Sequence, residues 1–196
     1  MTSVSRVKAL HGALKTVHKE NIEGSFVECG VWFGGNIVIA KTFFNSIGDD
    51  REVIGYDTFE GMTDPTDFDG AKAKKKNETT TDWCKAPYDK VVSSLNKFGI
   101  KESDVRLIKG DVRETLLVED NLPQKVSILR LDTDFYDSTL VELQTLYHRL
   151  VDGGYLIIDD YGHWEGCRKA VDEFFGAKYV QNKFTKIDYT GIVLRK

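Results

Sequence analysis

Short apolar runs alternate with amphipathic stretches along most of the chain. Strands are predicted over residues 25–30, 52–57, 104–109, 125–132 and 155–159, with weaker ones near 178–183 and 189–194. Helices are predicted over residues 36–46, 82–98 (with an interruption at Pro87), 138–151 and 167–175. Such alternation is typical of a mostly parallel sheet with helices on both faces. The nearly continuous apolar runs VSILRL and YLII are expected to be its central strands.

Length and composition predict one domain over residues 1–196. A content of 41% hydrophobic and 30% charged residues is typical of a globular protein. The net charge of −4 gives no general attraction to nucleic acid or anionic membrane, so neither is an expected partner. Three cysteines without paired spacing favour a cytoplasmic location. Residues 1–22 repeat apolar positions at helical spacing, which predicts an N-terminal helix, and no run is long enough for a membrane span.

The connection over residues 58–81 is long and polar for a compact domain. Long connections are often lids or binding loops, and a solvated surface excursion is the alternative. Four lysines in this segment either contact an anionic substrate or form a solvated face: Lys72, Lys74, Lys75 and Lys76. The sequence leaves both interpretations open.

A glycine-rich turn follows the first predicted strand. The segment reads ECGVWFGGN from Glu28 to Asn36. Glycines between a strand and a helix let the backbone approach a ligand, and the helix N-terminus behind them can bind an anion. The spacing differs from the G-x-G-x-x-G of dinucleotide-binding proteins, and tight packing explains such a turn equally well. The candidate cofactor-binding residues here are Glu28, Gly30, Gly34, Gly35 and Asn36.

Acidic residues end the second and third strands. Asp57 stands where an acid commonly accepts hydrogen bonds from ribose hydroxyls, although it could equally cap the next segment. Thr58 and Phe59 follow it directly and are included in the predicted cofactor site. Gly110 and Asp111 end the third strand, where an adenine ring would lie if Asp57 holds the ribose. Asp111 could instead, or in addition, be the N-cap of a short helix.

Three aspartates follow the fourth and fifth strands, at Asp132, Asp159 and Asp160. The carboxyl ends of adjacent parallel strands lie close together, so we expect these carboxylates to converge. Clustered carboxylates repel one another, and a bound divalent cation relieves the repulsion. Ligand sets made only of oxygen favour a hard cation such as Mg²⁺. The alternative is that these aspartates cap the following helices and point apart.

Four segments together resemble the macrocin-type O-methyltransferases, which methylate sugar hydroxyls of antibiotics and related glycosides. They are VECGVWFGGN, VIGYDTFEGM, LRLDTDFYDST and GGYLIIDDYGHWEGCRKAVDEF. The resemblance implies an α/β, Rossmann-like class I methyltransferase fold with a mostly parallel seven-stranded sheet and an antiparallel last strand. It implies S-adenosylmethionine over the glycine turn, with its ribose on Asp57. It also implies Mg²⁺ on Asp132, Asp159 and Asp160, with the methyl acceptor against the metal.

The resemblance has one departure that bears on the chemistry. In catechol-type relatives a lysine three residues after the first metal aspartate serves as the base, and here that position is Phe135. We therefore predict that Asp132 is metal ligand, cofactor neighbour and general base together. His163, on the same predicted rim, is the second candidate for the base, and a purely structural histidine is the alternative.

The predicted function is Mg²⁺-dependent transfer of a methyl group from S-adenosylmethionine to a hydroxyl of a sugar or another vicinal-diol small molecule. One rival is a nicotinamide-dependent oxidoreductase or epimerase acting on sugars, which shares the glycine turn and the ribose acid but does not require the three aspartates. The other rival is a non-catalytic, methyltransferase-like binding module. A homodimer is compatible with the sequence.

Overall fold

A computed structural model describes residues 3–196 and contains one seven-stranded sheet in the order β3-β2-β1-β4-β5-β7-β6. The strands are β1 Ser25–Cys29, β2 Val53–Asp57, β3 Arg106–Lys109, β4 Val126–Leu131, β5 Leu150–Ile158, β6 Thr185–Lys186 and β7 Ile192–Arg195. Neighbours from β3 to β5 pair in parallel, whereas β7 runs antiparallel to both β5 and β6. The predicted fold class is confirmed.

Helices cover both faces of the sheet. They are α1 Val4–Lys19, α2 Gly35–Ser46, α3 Gly70–Thr79, α4 Tyr88–Asn96, α5 Val112–Thr115, α6 Tyr136–Leu146, α7 Glu165–Phe175 and α8 Ala177–Lys183. Helix α1 lies within the predicted N-terminal helix, of which residues 1 and 2 are outside the described part. Within residues 3–196, no helix combines the length and apolar character that a membrane crossing requires.

Alternate residues of the central strands supply two separate cores. Phe26 and Ile128 pack with the buried side chains of α1, α2 and α4. Val27 and Leu129 pack with those of α5, α6 and α7. Side chains alternate across a strand with a period of two, so a strand buried on both faces must be apolar throughout. This explains why β1 and β4 read as nearly unbroken apolar runs.

Three predicted elements differ from the structure. Residues 178–183 belong to helix α8 and not to a strand, because Val180 and Phe184 are four residues apart and Phe184 packs on Phe175. Helix α6 ends at Leu146, because Leu150 already pairs with β4. Residues 80–87 are not helical, and helix α4 begins directly after Pro87, whose ring suits a helix N-terminus.

The long connection over residues 58–81 is partly ordered into helix. Thr66 begins a single 3₁₀ turn, and α3 follows it directly. The sequence prediction missed this helix, and a lid or binding role of the segment stays a prediction. Its lysines and Thr79 lie within or at the end of this element.

Candidate active site

Strands β2 and β3 lie on one side of β1, whereas β4 and β5 lie on the other. The topological switch point is therefore between β1 and β4, whose carboxyl ends lie side by side. The N–H of Asp132 donates to the carbonyl of Cys29 over 2.9 Å. Gly30 follows with φ of 85°, and a Cβ atom there would lie 2.2 Å from the carbonyl oxygen of Asp132. Only glycine fits this approach. Crevices at such switch points are where ligands bind in open α/β sheets.

A cavity of about 770 Å³ opens at this edge of the sheet, within the size range of small-molecule sites. Nine of the residues predicted from the sequence line it: Gly30, Asp57, Thr58, Gly110, Asp111, Asp132, Asp159, Asp160 and His163. The structure thus brings together the predicted cofactor and metal regions in one space.

Five predicted cofactor residues do not line that cavity: Glu28, Gly34, Gly35, Asn36 and Phe59. Glu28 is fully buried and accepts hydrogen bonds from Asn36 (2.9 Å) and from Arg130 (2.7 Å). Gly34 packs towards Leu95, and Phe59 packs edge-on to Tyr88. All of these residues except Phe59 belong to the glycine turn itself, and direct contact of the five with a cofactor stays a prediction.

Asp57 holds the glycine turn in place from the neighbouring strand. Its Oδ2 accepts hydrogen bonds from the backbone N–H groups of Val31 (2.7 Å) and Trp32 (2.9 Å), and its Oδ1 accepts one from Phe59 (2.7 Å). Burial raises the pKa of this carboxyl, and the three backbone donors work against that rise. Asp57 therefore positions the turn and also caps the next segment. Its Oδ1 accepts only one of these three bonds, so it keeps acceptor capacity for a ligand.

Asp111 is the N-cap of α5, as one of its two interpretations predicted. Its Oδ1 accepts a hydrogen bond from the backbone N–H of Arg113 (2.9 Å), and the Arg113 guanidinium contacts both carboxylate oxygens. Burial raises the pKa of Asp111, but these hydrogen bonds and the arginine charge outweigh it and leave the pKa below the ordinary value. Asp111 is ionised in the cavity wall near neutral pH.

An acidic cluster forms the floor of the cavity, and its members are Asp132, Asp134 and Asp160. One carboxylate oxygen from each lies within 4.8 Å of the others. Asp134 adopts a left-handed backbone conformation with φ of 68°, which is uncommon for a residue other than glycine. Strained backbone of this kind is found preferentially at functional sites.

Asp159 was expected among the metal ligands, but its carboxylate pairs with two arginines. Its Oδ1 lies 2.7 Å from Nη2 of Arg130, although without the alignment of a hydrogen bond, and its Oδ2 pairs with Arg6 of α1. The carboxylate therefore faces two guanidinium groups, and Asp134 takes the third place in the cluster. The sequence pattern indicates neither arginine as a site residue, because Arg130 lies within a predicted central strand and nothing in the local sequence links Arg6 to a strand end.

Arg130 is a buried cation at the centre of the site. Its Nη1 lies 2.7 Å from Oε1 of Glu28 and 2.8 Å from Oδ2 of Asp132, and its Nη2 faces Asp159. Burial alone would lower the pKa of this guanidinium, but the three carboxylates hold it above its ordinary value. Arg130 thus ties the glycine turn on β1 to the acidic residues after β4 and β5.

The carboxyl groups of the acidic cluster all have raised pKa values. Burial, with repulsion from Asp160, raises the pKa of Asp132 to about 6, against the pull of Arg130. Burial, with repulsion from Asp132, raises the pKa of Asp134 to about 7. Burial and repulsion from Asp134 raise the pKa of Asp160 well above its ordinary value. Groups titrating near neutral pH in a cavity are typical of functional sites.

The chemistry of this donor set fits a hard divalent cation. All the groups that converge are carboxylate oxygens, and Oδ2 of Asp160 is buried without a hydrogen-bond partner within residues 3–196. Buried polar atoms are normally paired, so an orphaned carboxylate oxygen beside two others indicates a missing cationic partner. The residues present therefore fit Mg²⁺.

His163 lies at the rim of the cavity, where Lys72 reaches it. The Lys72 Nζ and the His163 Nε2 are 2.9 Å apart. Burial and the lysine charge lower the pKa of His163, so the imidazole is neutral near pH 7. An ammonium group can only donate, so Nε2 is the acceptor in this pair. That leaves His163 with its lone pair engaged, which disfavours it as a general base.

Known proteins similar to this chain are O-methyltransferases. The model of the macrocin-O-methyltransferase (TylF) family matches residues 1–196. A similar curated protein is the 8-demethyl-8-(2,3-dimethoxy-alpha-L-rhamnosyl)-tetracenomycin-C 4'-O-methyltransferase of Streptomyces olivaceus. It is 30% identical over 198 residues, which cover 100% of this chain and 74% of that protein. The demethyldecarbamoylnovobiocin O-methyltransferase of Streptomyces niveus is 27% identical, with 98% and 73% covered.

A solved structure agrees with the fold. The O-methyltransferase NovP superposes with a TM-score of 0.88 and 26% identity, covering 99% of this chain and 80% of that one.

Proposed function

The chain belongs to the macrocin O-methyltransferase family, and from that premise we propose that it transfers a methyl group from S-adenosylmethionine to a sugar hydroxyl in a Mg²⁺-dependent reaction. The observation that carries this proposal is the acidic cluster on the floor of the same cavity that Asp57 and the glycine turn line. O-methyltransferase activity follows from the family. The sugar acceptor and the metal are the proposed parts.

We assign the cofactor to the half of the cavity formed by the ends of β1, β2 and β3. Gly30 supplies close backbone approach, Asp57 an acceptor for ribose hydroxyls, and Gly110 with Asp111 the far wall. S-adenosylmethionine supplies a methyl group on a positively charged sulfur. Because that methyl group is already activated, the protein's work is to position the acceptor oxygen and to remove its proton.

We assign the metal to Asp132, Asp134 and Asp160. Mg²⁺ held there would lower the pKa of an acceptor hydroxyl. Arg130 fixes Oδ2 of Asp132, which leaves its other oxygen for the cavity. Asp159 then serves as the anchor for Arg130 and Arg6 in place of the direct ligand expected from the sequence.

We propose Asp134 as the general base that removes the proton of the acceptor hydroxyl. A general base must lie within hydrogen-bond reach of the proton that it removes, and Asp134 lies in the cluster where the acceptor hydroxyl would bind. Asp132, the first candidate from the sequence, is held as a charged partner of Arg130, which weakens it as a base. His163, the second candidate, has its acceptor nitrogen engaged by Lys72.

Incubation with S-adenosylmethionine labelled in its methyl group, Mg²⁺ and a panel of rhamnosides and other glycosides is expected to label a sugar oxygen. A thermal-shift comparison should show stabilisation by S-adenosylhomocysteine and none by NAD. Stabilisation by NAD alone would favour the oxidoreductase. Binding of S-adenosylhomocysteine without transfer to any hydroxyl would favour a non-catalytic module.

Stabilisation of the protein by Mg²⁺ is expected to grow as the pH rises from about 5.5 to about 8. The folded pKa values of Asp132 (about 6) and Asp134 (about 7) lie above the ordinary aspartate value of about 3.9. Groups with raised folded pKa values stabilise the metal-free protein at low pH and lose that contribution as the pH passes through those values. Mg²⁺ must displace their protons at low pH and relieves their repulsion at high pH.

The measurement is the difference in Tm between Mg²⁺ and EDTA at each pH, in wild type and in Asp160→Asn. A difference that is independent of pH, or one that the variant retains in full, would contradict the metal assignment.

A further inference from the structure

Helix α3 presents a stripe of lysines to the cavity. Lys72, Lys75, Lys76 and Thr79 all line it, and they are spaced three, four and seven residues from the first. Residues at this spacing share one face of a helix. Lys74 is not in the lining, and its Nζ pairs with Asp67 instead. The lysines of this segment therefore divide into a cavity-facing set and an outward-facing one.

The helix that carries the stripe is docked firmly. Asp69, just before α3, is buried, and its Oδ1 accepts a hydrogen bond from the backbone N–H of Tyr136 at the start of α6 over 2.7 Å. Its Oδ2 accepts one from the N–H of Thr66 over 2.7 Å, and Ala73 is fully buried in the core. Hydrogen bonds of this kind fix α3 relative to α6, so the lysine positions are part of the site and not of a loose surface loop.

The cavity-facing lysines have no carboxylate partner within residues 3–196. The lysine ion pairs in that part of the chain are made by Lys74, Lys85, Lys109, Lys125 and Lys169. Lys72 instead meets the neutral imidazole of His163 and the ring of Trp164, 4.8 Å from its centroid. Lys76 lies 5.7 Å from the ring centroid of Trp83. Aromatic faces attract cations without neutralising them, so the stripe keeps its positive charge.

The part of the cavity outside the proposed cofactor half therefore has side chains of opposite charge at its two ends. The acidic cluster and its proposed metal lie on the floor, where hydroxyl groups would bind. The rings of Trp83 and Trp164, with centroids 5.5 Å apart, line the cavity beside these lysines, so a sugar ring bound there would contact them. An acceptor that satisfies both ends carries neighbouring hydroxyls, a ring and an anionic group.

Resting on the proposed function, we propose that the stripe Lys72, Lys75 and Lys76 binds the phosphate groups of a nucleotide-linked sugar, which is the methyl acceptor. Lysines bind phosphate as mobile point charges and need no bidentate geometry, which suits three side chains on one helix face. A diphosphate carries more negative charge than a single carboxylate and can engage all three. A neutral glycoside would leave the three ammonium groups without an anion.

The test compares TDP-rhamnose with methyl rhamnoside, a neutral acceptor that presents the same sugar. In the double variant Lys75→Ala/Lys76→Ala, KM for TDP-rhamnose should rise by about tenfold with little change in kcat, because rim charges contribute mainly to encounter and binding. KM for methyl rhamnoside and the Kd of S-adenosylhomocysteine should stay unchanged. Lys74→Ala is the matched control and should behave as wild type. Calorimetry with TDP alone, in the presence of S-adenosylhomocysteine, should show binding that the double variant loses.

Several results would overturn the proposal. They are equal changes for both acceptors, an effect of Lys74→Ala as large as that of the double variant, and a weakened Kd for S-adenosylhomocysteine, which would assign the lysines to the cofactor carboxylate. Preference for a methyl glycoside of glucuronic acid over TDP-rhamnose would assign the stripe to a carboxylate. A wild type that binds TDP but methylates no acceptor would instead refute the proposed function and leave the phosphate site standing.

Discussion

Replacing Asp160 by asparagine is expected to lower kcat/KM for methyl transfer by about 100-fold or more, because it removes one of three proposed metal ligands. Asparagine preserves the shape of the side chain, and Oδ2 of Asp160 has no hydrogen-bond partner within residues 3–196 to lose. The Kd of S-adenosylhomocysteine measured in EDTA should change little, since the cofactor half of the cavity is untouched. Steady-state kinetics across a range of Mg²⁺ concentrations are the measurement.

A second readout separates this loss from damage to the fold. In the metal-free protein, burial together with repulsion from Asp134 raises the pKa of Asp160. Removing one of the two charges should therefore leave the Tm in EDTA unchanged or raise it at pH 8. Asp137→Asn is the matched control, because Asp137 is half-buried nearby and outside the cavity lining, and it should retain activity. Near-normal activity of Asp160→Asn would refute the assignment.

Replacing Arg130 by methionine is expected to lower the free energy of unfolding by about 3–5 kcal/mol, since removal of one partner leaves buried charges uncompensated. The guanidinium is buried among Glu28, Asp132 and Asp159, and the pKa of Glu28 is already raised to about 7, chiefly by burial. Methionine fills a similar volume, so the loss reports mainly the missing charge. Urea unfolding monitored by circular dichroism at pH 7.5 measures it.

Arg106→Met provides the comparison for this variant. Arg106 pairs with Glu52 at the surface, and such pairs contribute about 0–1 kcal/mol. If Arg130→Met unfolds at the same urea concentration as Arg106→Met, the buried guanidinium does not hold the site together. A smaller loss for Arg130→Met at pH 5.5 than at pH 7.5 is also expected, because the carboxyls it leaves behind accept protons.

The order of strands and helices could be predicted because it depends on patterns within short segments of the sequence. Central strands such as VSILRL must be apolar on both faces, and the turns between elements carry glycine or proline. The prediction failed where tertiary contacts decide. Helix α8 contains a segment that could equally pair as a strand, and packing of Phe184 on Phe175 selects the helix. Leu150 could extend α6, and pairing with Val126 draws it into β5 instead.

The site was predictable to the extent that strand ends determine it. Asp132 and Asp160 follow strands whose carboxyl ends meet, and topology alone brings them together. The orientation of a single side chain is a different matter. Asp159 pairs with Arg130 and Arg6, and Arg6 stands 153 positions earlier in the chain. Asp134 joins the cluster through a left-handed backbone conformation that no spacing rule indicates.

The close approach of Gly30 to Asp132 has a thermodynamic consequence. The turn assigned to the cofactor and the first residue of the acidic cluster share a backbone hydrogen bond, and no side chain could fit between them. A displacement of one would be felt by the other, so we expect the proposed cofactor and the proposed metal to be linked through this main-chain contact. Linkage of this kind is reciprocal: any factor by which the cofactor tightens the metal is the factor by which the metal tightens the cofactor. The order in which the two bind can then vary with their concentrations, while the stability of the ternary complex does not.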